Sequence, residues 1–292
     1  MLTNFKYLIG FFYLFSGISM AQTSLNSAEK MLKNGEIQKA REVFLQYEDE
    51  PKSIEYLGDI ASFEKNWDEA IEYYETLVEM DSENAMYNFK LGGAMGMKAY
   101  YGSKFQAALL LGDIKEYLKK AAKLDPTHKE VRRALVELYM QLPGIIGGSK
   151  TIAESYASDL DRLNEVDALL ADAYIYKTQE YRDLAKKKYE EAIRTAANQP
   201  ELLSRNYLKY ELGEAAAIYE IRLKEGKKLL EEYIENFGYQ DLKSPAWAYL
   251  RLAQIERIQN NQKEALAYIE KSLNIDPDFD KALIEKQKIR RL

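Results

Sequence analysis

Apolar residues recur along the chain at spacings of three and four, the period of a helix that buries one face. In the segments "NWDEAIEYYETLVEMDSEN" and "NQKEALAYIEKSLNIDPDF", which begin at Asn66 and Asn261, an alanine is followed four positions later by a larger residue. Four segments that share this plan carry the pairs Ala40 and Phe44, Ala70 and Tyr74, Ala185 and Tyr189, and Ala265 and Ile269. Because a small side chain lets a second helix cross closely, this pattern predicts helices that pack in pairs.

Other helical segments precede those that carry the alanines. The segments "IEYLGDIASFEKN", "FKLGGAMGMKAYY" and "AYLRLAQIERIQN" each place a small residue where a partner helix would cross. These small residues are Gly58, Gly92 and Ala253, and the first and last lie twelve positions before Ala70 and Ala265. The constant offset predicts helical hairpins that share one geometry.

The prolines mark a regular interval. Pro51, Pro126, Pro200 and Pro277 are separated in turn by 75, 74 and 77 residues. Proline lacks an amide hydrogen and collides with the preceding helical turn, so it collects at helix boundaries. Regularly spaced boundaries indicate a structural unit that is used repeatedly.

This register of small and large residues resembles that of the tetratricopeptide repeat family, whose repeat is a helical hairpin of about 34 residues. The positions that carry the resemblance are Leu57, Gly58, Ala70, Tyr74 and Leu77 in one repeat and Leu252, Ala253, Ala265, Ile269 and Pro277 in another. The resemblance implies an all-α fold, an α-solenoid of about seven hairpins closed by a C-terminal capping helix over "DFDKALIEKQKIRRL". The alternative is a generic helical bundle in which the alanines are ordinary packing residues.

The N-terminal residues have the composition of a signal peptide. One charge, Lys6, precedes an uncharged run of 14 residues that ends at Met20, which is shorter than the roughly 20 residues that span a bilayer. Ser19 and Ala21 have the spacing of small residues that signal peptidase recognises. We therefore expect a signal peptide over 1–21, cleavage after Ala21, and a periplasmic solenoid over 22–292 with no stable membrane span. The alternative is that the segment is retained as an anchor.

The composition excludes several kinds of chemistry. The chain has no cysteine, which excludes disulfides, thiol nucleophiles and thiolate metal sites. The single histidine, His128, lies beside the helix break at Pro126, where we expect it on the surface, and it cannot form a multi-histidine metal site. The net charge of −6 disfavours nonspecific binding of nucleic acid. We expect no cofactor, no metal site and no nucleic-acid partner.

Two consecutive hairpins are longer than the repeat requires. The excess lies around "AYYGSKFQAALLLGD" in the third and "LPGIIGGSKT" in the fourth, and it predicts two irregular loops at one edge of the solenoid. The candidate binding residues there are Tyr100, Tyr101, Ser103 and Lys104 in the first loop and Gly147, Gly148, Ser149 and Lys150 in the second. The alternative is that the loops only cover the apolar ends of their own helices, with Leu109, Leu110 and Leu111 buried.

The second of these segments nearly matches a phosphate-binding P-loop. Gly144, Lys150 and Thr151 have the required spacing, but Ser149 replaces the second glycine and a helix stands where the motif needs a strand. Nucleotide hydrolysis is therefore disfavoured. Two interpretations remain: Ser149 caps the following helix, or the first amides of that helix bind an anion with help from Lys150.

The resemblance implies a groove, lined by the first helix of each hairpin, that binds peptides or partner domains. In the third hairpin the groove positions are Met86, Phe89, Gly93, Gly96 and Met97, an apolar surface with small residues. In the second they include Glu55 and Asp59, which disfavour the carboxylate clamp of some family members and favour a basic or neutral partner.

We expect a non-catalytic periplasmic scaffold or adaptor whose partner is another protein or peptide. The alternative is an accessory subunit of a transport system that binds a small molecule or an anion. An enzyme is disfavoured because the acidic residues occur in helix-surface runs such as "LLEEYIE".

Overall fold

The computed structural model describes residues 22–292, so the predicted signal peptide and its cleavage site after Ala21 lie outside the described residues. A first helix, α1, covers residues 22–33. The remaining α-helices are α2 (Ile37–Phe44), α3 (Pro51–Phe63), α4 (Trp67–Met80), α5 (Ala85–Tyr101), α6 (Lys104–Leu124), α7 (Lys129–Gln141), α8 (Lys150–Leu160), α9 (Glu165–Thr178), α10 (Arg182–Asn198), α11 (Asn206–Tyr219), α12 (Leu223–Glu235), α13 (Pro245–Ile258), α14 (Gln262–Ile275) and α15 (Asp280–Ile289). Short 3-10 turns lie at Leu45–Tyr47, Gly144–Ile146 and Pro200–Leu202.

Consecutive helices pack as antiparallel pairs. Each odd-numbered helix from α3 to α13 contacts the helix that follows it, and the core of the first pair joins residues of α1 to residues of α2. The helix α15 packs against both α13 and α14. The described part of the chain, from residue 22 onward, contains seven hairpins, a capping helix and no strand, which confirms the predicted all-α solenoid.

The predicted register of small residues positions these helices. Ala40, Ala70, Ala185 and Ala265 are fully buried, as is Ala253 on the partner side. A Cβ placed on Gly58 would lie 2.5 Å from the ring of Tyr74, so glycine is required for α3 and α4 to approach at this distance. The prolines also mark boundaries: Pro51 is the first residue of α3, and Pro277 lies between α14 and α15.

The third hairpin departs from the prediction of an irregular loop. Its two helices, α5 and α6, are 17 and 21 residues long, whereas α3 and α4 have 13 and 14. The excess residues continue both helices, and only Gly102 and Ser103 separate them. The prediction of a loop was wrong because the extra sequence is rich in helix formers such as alanine, leucine and lysine.

The chain divides into two compact units. The first contains the described residues up to Leu124 together with Gly238–Gln240, and the second contains Asp125–Phe237 and Asp241–Leu292. Within the first unit the short returning segment packs by Tyr239, whose ring lies 6.4 Å from that of Tyr56.

Candidate functional site

The predicted groove residues of the first unit occupy one face of α5. Met86, Phe89, Gly93 and Met97 are spaced by three or four residues, so they follow one side of the helix. Met86 is exposed and the others are partly exposed. Asn84 starts the helix, because its side-chain oxygen accepts a hydrogen bond from the amide of Met86 at 3.0 Å. We call this surface, with Gly96, the α5 face.

Two glycines leave the α5 face open. A Cβ placed on Gly93 or Gly96 would meet no atom within 4 Å, whereas one on the neighbouring Gly92 would lie 3.1 Å from side-chain atoms of Leu118 and Tyr117. Gly92 therefore serves helix packing, and the other two do not. Glycine inside a helix costs about 1 kcal/mol relative to alanine. The α5 face carries this cost twice without a packing reason in the described chain.

The acidic groove positions of the second hairpin are already paired. Lys90 of α5 reaches Glu55 at 2.7 Å and Asp59 at 2.6 Å, and the hydroxyl of Tyr74 donates a hydrogen bond to Asp59 at 2.8 Å. Their charge is balanced inside the protein, which removes the support for a basic partner; that the partner is basic or neutral stays a prediction. The bridge also joins α3 to α5 beside the α5 face.

The end of the third hairpin carries exposed apolar side chains. Tyr100, Tyr101, Phe105 and Leu109 are 68%, 56%, 73% and 65% exposed. The alternative prediction, that Leu109, Leu110 and Leu111 are buried packing residues, is wrong: Leu109 is exposed and its two successors are partly exposed. We call residues 99–112 the hairpin tip.

The hairpin tip has an ordered turn. The hydroxyl of Ser103 accepts a hydrogen bond from the amide of Gln106 at 3.2 Å, and the Gln106 side chain accepts one from the amide of Ser103 at 3.1 Å. This reciprocal pair is a capping box that starts α6. The ring of Tyr101 is stacked on that of Trp67, with centroids 6.3 Å apart, and Lys104 is exposed at the first position of α6.

The second predicted insertion, in the second unit, is a loop that caps a helix. Gly147 has a φ of 90°, and a Cβ placed on Gly148 would lie 1.8 Å from the carbonyl oxygen of Leu142. The hydroxyl of Ser149 accepts a hydrogen bond from the amide of Ile152 at 3.3 Å, and Lys150 lies 3.4 Å from Glu154 in the next turn. The helix-capping interpretation is confirmed.

The two predicted binding segments belong to different units. Tyr100, Tyr101, Ser103 and Lys104 lie in the first unit, and Gly147, Gly148, Ser149 and Lys150 lie in the second. That they face each other at one edge of the solenoid stays a prediction.

Sequence reasoning missed an ion-pair network in the second unit. Arg133 of α7 forms two hydrogen bonds with Glu211 of α11, at 2.7 and 3.0 Å, and lies 3.5 Å from the fully buried Asp167 of α9. Arg205 bridges Asp167, at 2.5 Å, and Glu130, at 2.8 Å. The network joins the first helices of three hairpins.

His128 belongs to this network and is buried, which corrects its prediction as a surface residue. Its Nδ1 lies 3.1 Å from Glu130. Burial opposes ionisation of Glu130, but the hydrogen bond from His128 and the charge of Arg205 outweigh it and lower the pKa of Glu130 to about 2. Arg205 lies 75 residues from Glu130, and Glu211 lies 78 residues from Arg133, so no local pattern reveals the network.

Glu137 and Tyr207 lie at the edge of this network. Burial raises the pKa of Glu137; the charge of Arg133, 3.8 Å away, opposes that rise and Glu211 adds to it. Burial also raises the pKa of Tyr207, which is near the same carboxylates. The Glu137 side chain is 42% accessible to solvent, so solvent screens this shift.

Residues 22–292 contain neither a candidate metal site nor a candidate membrane-spanning helix. No group of three histidine, aspartate or glutamate side chains in this part of the chain is placed to hold a metal ion. No helix among the same residues is long and apolar enough to cross a membrane.

Comparisons with known proteins agree with the fold. A family model described as tetratricopeptide repeat matches residues 57–84 and 248–279. The structure of a tetratricopeptide repeat protein from Parabacteroides merdae is similar with a TM-score of 0.51 and 14% identity, covering 92% of this chain and 98% of that one. A thermophilic TPR protein from Thermus thermophilus is similar with a TM-score of 0.52 and 17% identity, covering 67% and 98%. No curated protein matches the sequence.

Proposed function

Since the chain is a tetratricopeptide-repeat solenoid, we propose that it is a non-catalytic scaffold or adaptor that binds another protein or a peptide through the α5 face. The observation that carries this proposal is the pair Gly93 and Gly96, which face open space on an apolar helix surface. A helix that lacks side chains at these points lets a partner backbone come close. The free protein has no packing reason to keep them.

The chemistry of the α5 face favours an uncharged, apolar partner segment. Met86 and Met97 are flexible thioethers that adapt to irregular apolar surfaces, and Phe89 supplies an aromatic ring between them. The carboxylates of Glu55 and Asp59 are held by Lys90. Affinity would therefore come from apolar burial rather than from salt bridges, so binding should depend only weakly on ionic strength.

We further propose that the protein acts in the periplasm after removal of residues 1–21. The proposal rests on the N-terminal sequence: one lysine, an uncharged run of 14 residues, and small residues at positions 19 and 21. Mass spectrometry of the protein from a periplasmic fraction should give an N-terminus at Gln22. An intact Met1 on membrane-bound protein would instead indicate a retained anchor.

The transport-accessory alternative has weaker support. Lys150 pairs with Glu154 and Ser149 caps its own helix, so neither group is aimed at an anion. A thermal shift caused by organic acids or phosphate, and lost in both Lys104→Ala and Lys150→Ala, would favour this alternative over the adaptor.

The adaptor proposal is tested with a bulky side chain in the open space. Gly93→Leu adds a side chain where none is contacted, so the variant should remain folded while its α5 face is blocked. Gly144→Leu is the matched control, because a Cβ at Gly144 also meets no atom within 4 Å but belongs to the second unit and not to α5. Both variants and the wild type are immobilised and exposed to a periplasmic extract.

The expected result is a protein retained by the wild type and by Gly144→Leu and lost with Gly93→Leu. The same protein should also be lost with Met86→Ser combined with Phe89→Ser. Circular dichroism checks that each variant is folded. If Gly93→Leu retains every protein that Gly144→Leu retains, the α5 face is not the binding surface and the proposal fails.

A further inference from the structure

The hairpin tip presents more apolar surface than its own fold uses. Phe105 and Leu109 are one helical turn apart on α6, and both are about two-thirds exposed, at 73% and 65%. Tyr100 and Tyr101 extend this surface from the end of α5, at 68% and 56%. None of the four belongs to a buried core cluster among the described residues. An ordinary monomer surface scatters such residues singly, so the cluster indicates a contact surface.

The hairpin tip carries no negatively charged residue. The chain has 47 acidic residues in 292, yet none lies between Ala99 and Gly112, where the only charge is Lys104. Lys98, just before the tip, is paired with Asp68. A segment without carboxylates and with an exposed lysine is complementary to a negatively charged surface.

The shape of the hairpin tip suits a flat surface rather than a cleft. The excess length of α6, 21 residues against 14 in α4, corresponds to roughly 10 Å of additional helix. The capping box of Ser103 and Gln106 and the stacking of Tyr101 on Trp67 hold the turn in one conformation. The tip is therefore a preformed protrusion, and little ordering entropy is lost when it docks.

The exposed area of the hairpin tip also argues against a second copy of the chain as its binding partner. The three aromatic side chains and the leucine of the tip are 56–73% exposed. Because a whole aromatic side chain has about 150–250 Å² of surface, the four together expose roughly 500 Å². A stable protein interface buries about 800 Å² on each partner. A bilayer needs no such area, because each inserted side chain gains separately from transfer out of water.

We propose that the hairpin tip docks into the interface of a lipid bilayer that contains anionic lipid. Phe105 and Leu109 enter the boundary between headgroups and acyl chains, Tyr100 and Tyr101 lie at headgroup level, and Lys104 contacts lipid phosphate. This contact is peripheral and differs from a membrane span. It uses residues other than those of the α5 face, so substitutions at the tip and at Gly93 test membrane binding and partner binding separately.

The absence of cysteine provides a direct test, since one introduced thiol is the only labelling site. In the full chain, Ala108→Cys on the tip is labelled with an environment-sensitive fluorophore. Ile145→Cys is the matched control, because Ile145 is 96% exposed but lies in the second unit. The vesicles contain equal parts of phosphatidylglycerol and phosphatidylethanolamine, or phosphatidylcholine alone. Residues 1–21 are the same in every sample, so the comparison of the two labels reports the tip.

The label at position 108 should shift to the blue with the anionic vesicles, shift less with phosphatidylcholine, and be quenched by brominated lipid. The label at position 145 should not respond. Combining Phe105→Ser with Leu109→Ser should weaken the lipid response of label 108 about tenfold or more, and Lys104→Glu should weaken it about fivefold with anionic vesicles only. Both variants should keep the α-helical circular dichroism of the wild type.

Three outcomes would overturn the proposal. One is that the fluorescence of the label at position 108 does not change with either kind of vesicle. Another is an equal response of the labels at positions 108 and 145. The third is a lipid-free shift of label 108 that grows with protein concentration, which would identify a second copy of the chain as the occupant. Loss of partner capture by Gly93→Leu bears on the α5 face alone and leaves this test unaffected.

Discussion

Adjacent glycines on α5 have opposite roles. Gly92 faces Leu118 and Tyr117 of the paired helix, and Gly93 faces open space. The first is explained by the fold. The second weakens the helix without improving its packing, which is the behaviour expected where stability has been exchanged for function. The contacts of each glycine therefore distinguish packing glycines from candidate binding glycines, which look the same in the sequence.

This difference predicts opposite effects of the same substitution. Gly93→Ala should stabilise the free protein by about 1 kcal/mol, because alanine is the better helix former and nothing obstructs its methyl group. Gly58→Ala should destabilise it by about 1–3 kcal/mol, because the new methyl would lie 2.5 Å from the ring of Tyr74. Urea unfolding monitored by circular dichroism measures both. A loss of stability in Gly93→Ala would mean that the α5 face is packed in solution.

A second prediction concerns the lysine between two carboxylates. Lys90→Gln leaves Glu55 and Asp59 close together without a cation, and should cost about 1–3 kcal/mol of unfolding free energy. Lys98→Gln is the control on the same helix: its partner Asp68 is largely exposed, so the loss should stay within about 0.5 kcal/mol. Equal effects of the two substitutions would show that the bridge between α3 and α5 contributes no more than a surface ion pair.

The segment before α8 nearly matches a phosphate-binding loop, but its contacts show that it caps a helix. Gly148 is required because the carbonyl oxygen of Leu142 occupies the space of a Cβ, and Ser149 caps the helix. Glycines and a serine that resemble a phosphate-binding loop are explained by chain geometry alone.

The cap predicts a specific pattern of stability. Ser149→Ala should cost about 1 kcal/mol, whereas Ser149→Asp should keep the wild-type stability because its carboxylate also accepts the amide hydrogen bond. If capping is the whole role, phosphate should not raise the melting temperature of the wild type more than that of Ser149→Ala. A phosphate-dependent rise confined to the wild type would restore the anion-site interpretation.

The helical hairpins were predictable because their signals are local. Ala70 and Tyr74 lie one turn apart, and Gly58 has a fixed offset from them, so the sequence carries the register directly. The excess length of the third hairpin was predicted but its helical form was not, because excess length in a repeat does not reveal whether the added residues continue the helices. The network around Arg133 was missed for a different reason. Its partner Glu211 lies 78 residues away, and only tertiary packing brings them together.

The raised pKa of Glu137 predicts a pH-dependent effect. The folded-state pKa of Glu137 is raised, so the protonated form favours folding. Its stabilising contribution is complete below the unfolded pKa of about 4.3 and is lost as the pH rises through the folded value. Glu137→Gln should therefore raise the melting temperature at pH 7, on the order of 1 °C because solvent screens the group, and should leave it unchanged at pH 4.

Glu211→Gln provides the contrast for this measurement. It weakens the two hydrogen bonds that hold the buried Arg133, so it should lower the melting temperature at pH 7. Scanning calorimetry at both pH values follows the two variants. If Glu137→Gln also lowers the melting temperature at pH 7, the attraction of Glu137 to Arg133 outweighs burial and the inferred direction of the pKa is wrong.

Each of the two units is held together by contacts between neighbouring helices. The helix α15 illustrates the consequence, because it packs on the last hairpin, against α13 and α14. Ala282 and Ile289 are fully buried there, and Glu285 pairs with Arg257. In such a repeat architecture stability is a sum of local and nearest-neighbour contributions, so a defect at α15 should remain near α15.

Ile289→Ala tests how far this independence extends. Removing a buried isoleucine side chain costs about 2–5 kcal/mol where the helix stays docked. Undocking of α15 limits that cost, because the helix can open locally without unfolding the rest. Hydrogen exchange should therefore accelerate at least tenfold in α15 and at the adjoining end of α14, while the amides of α9 and α10 keep their wild-type rates. Acceleration by the same factor in α9 would mean that the second unit opens as a single cooperative body, and the nearest-neighbour account of the solenoid would have to be given up.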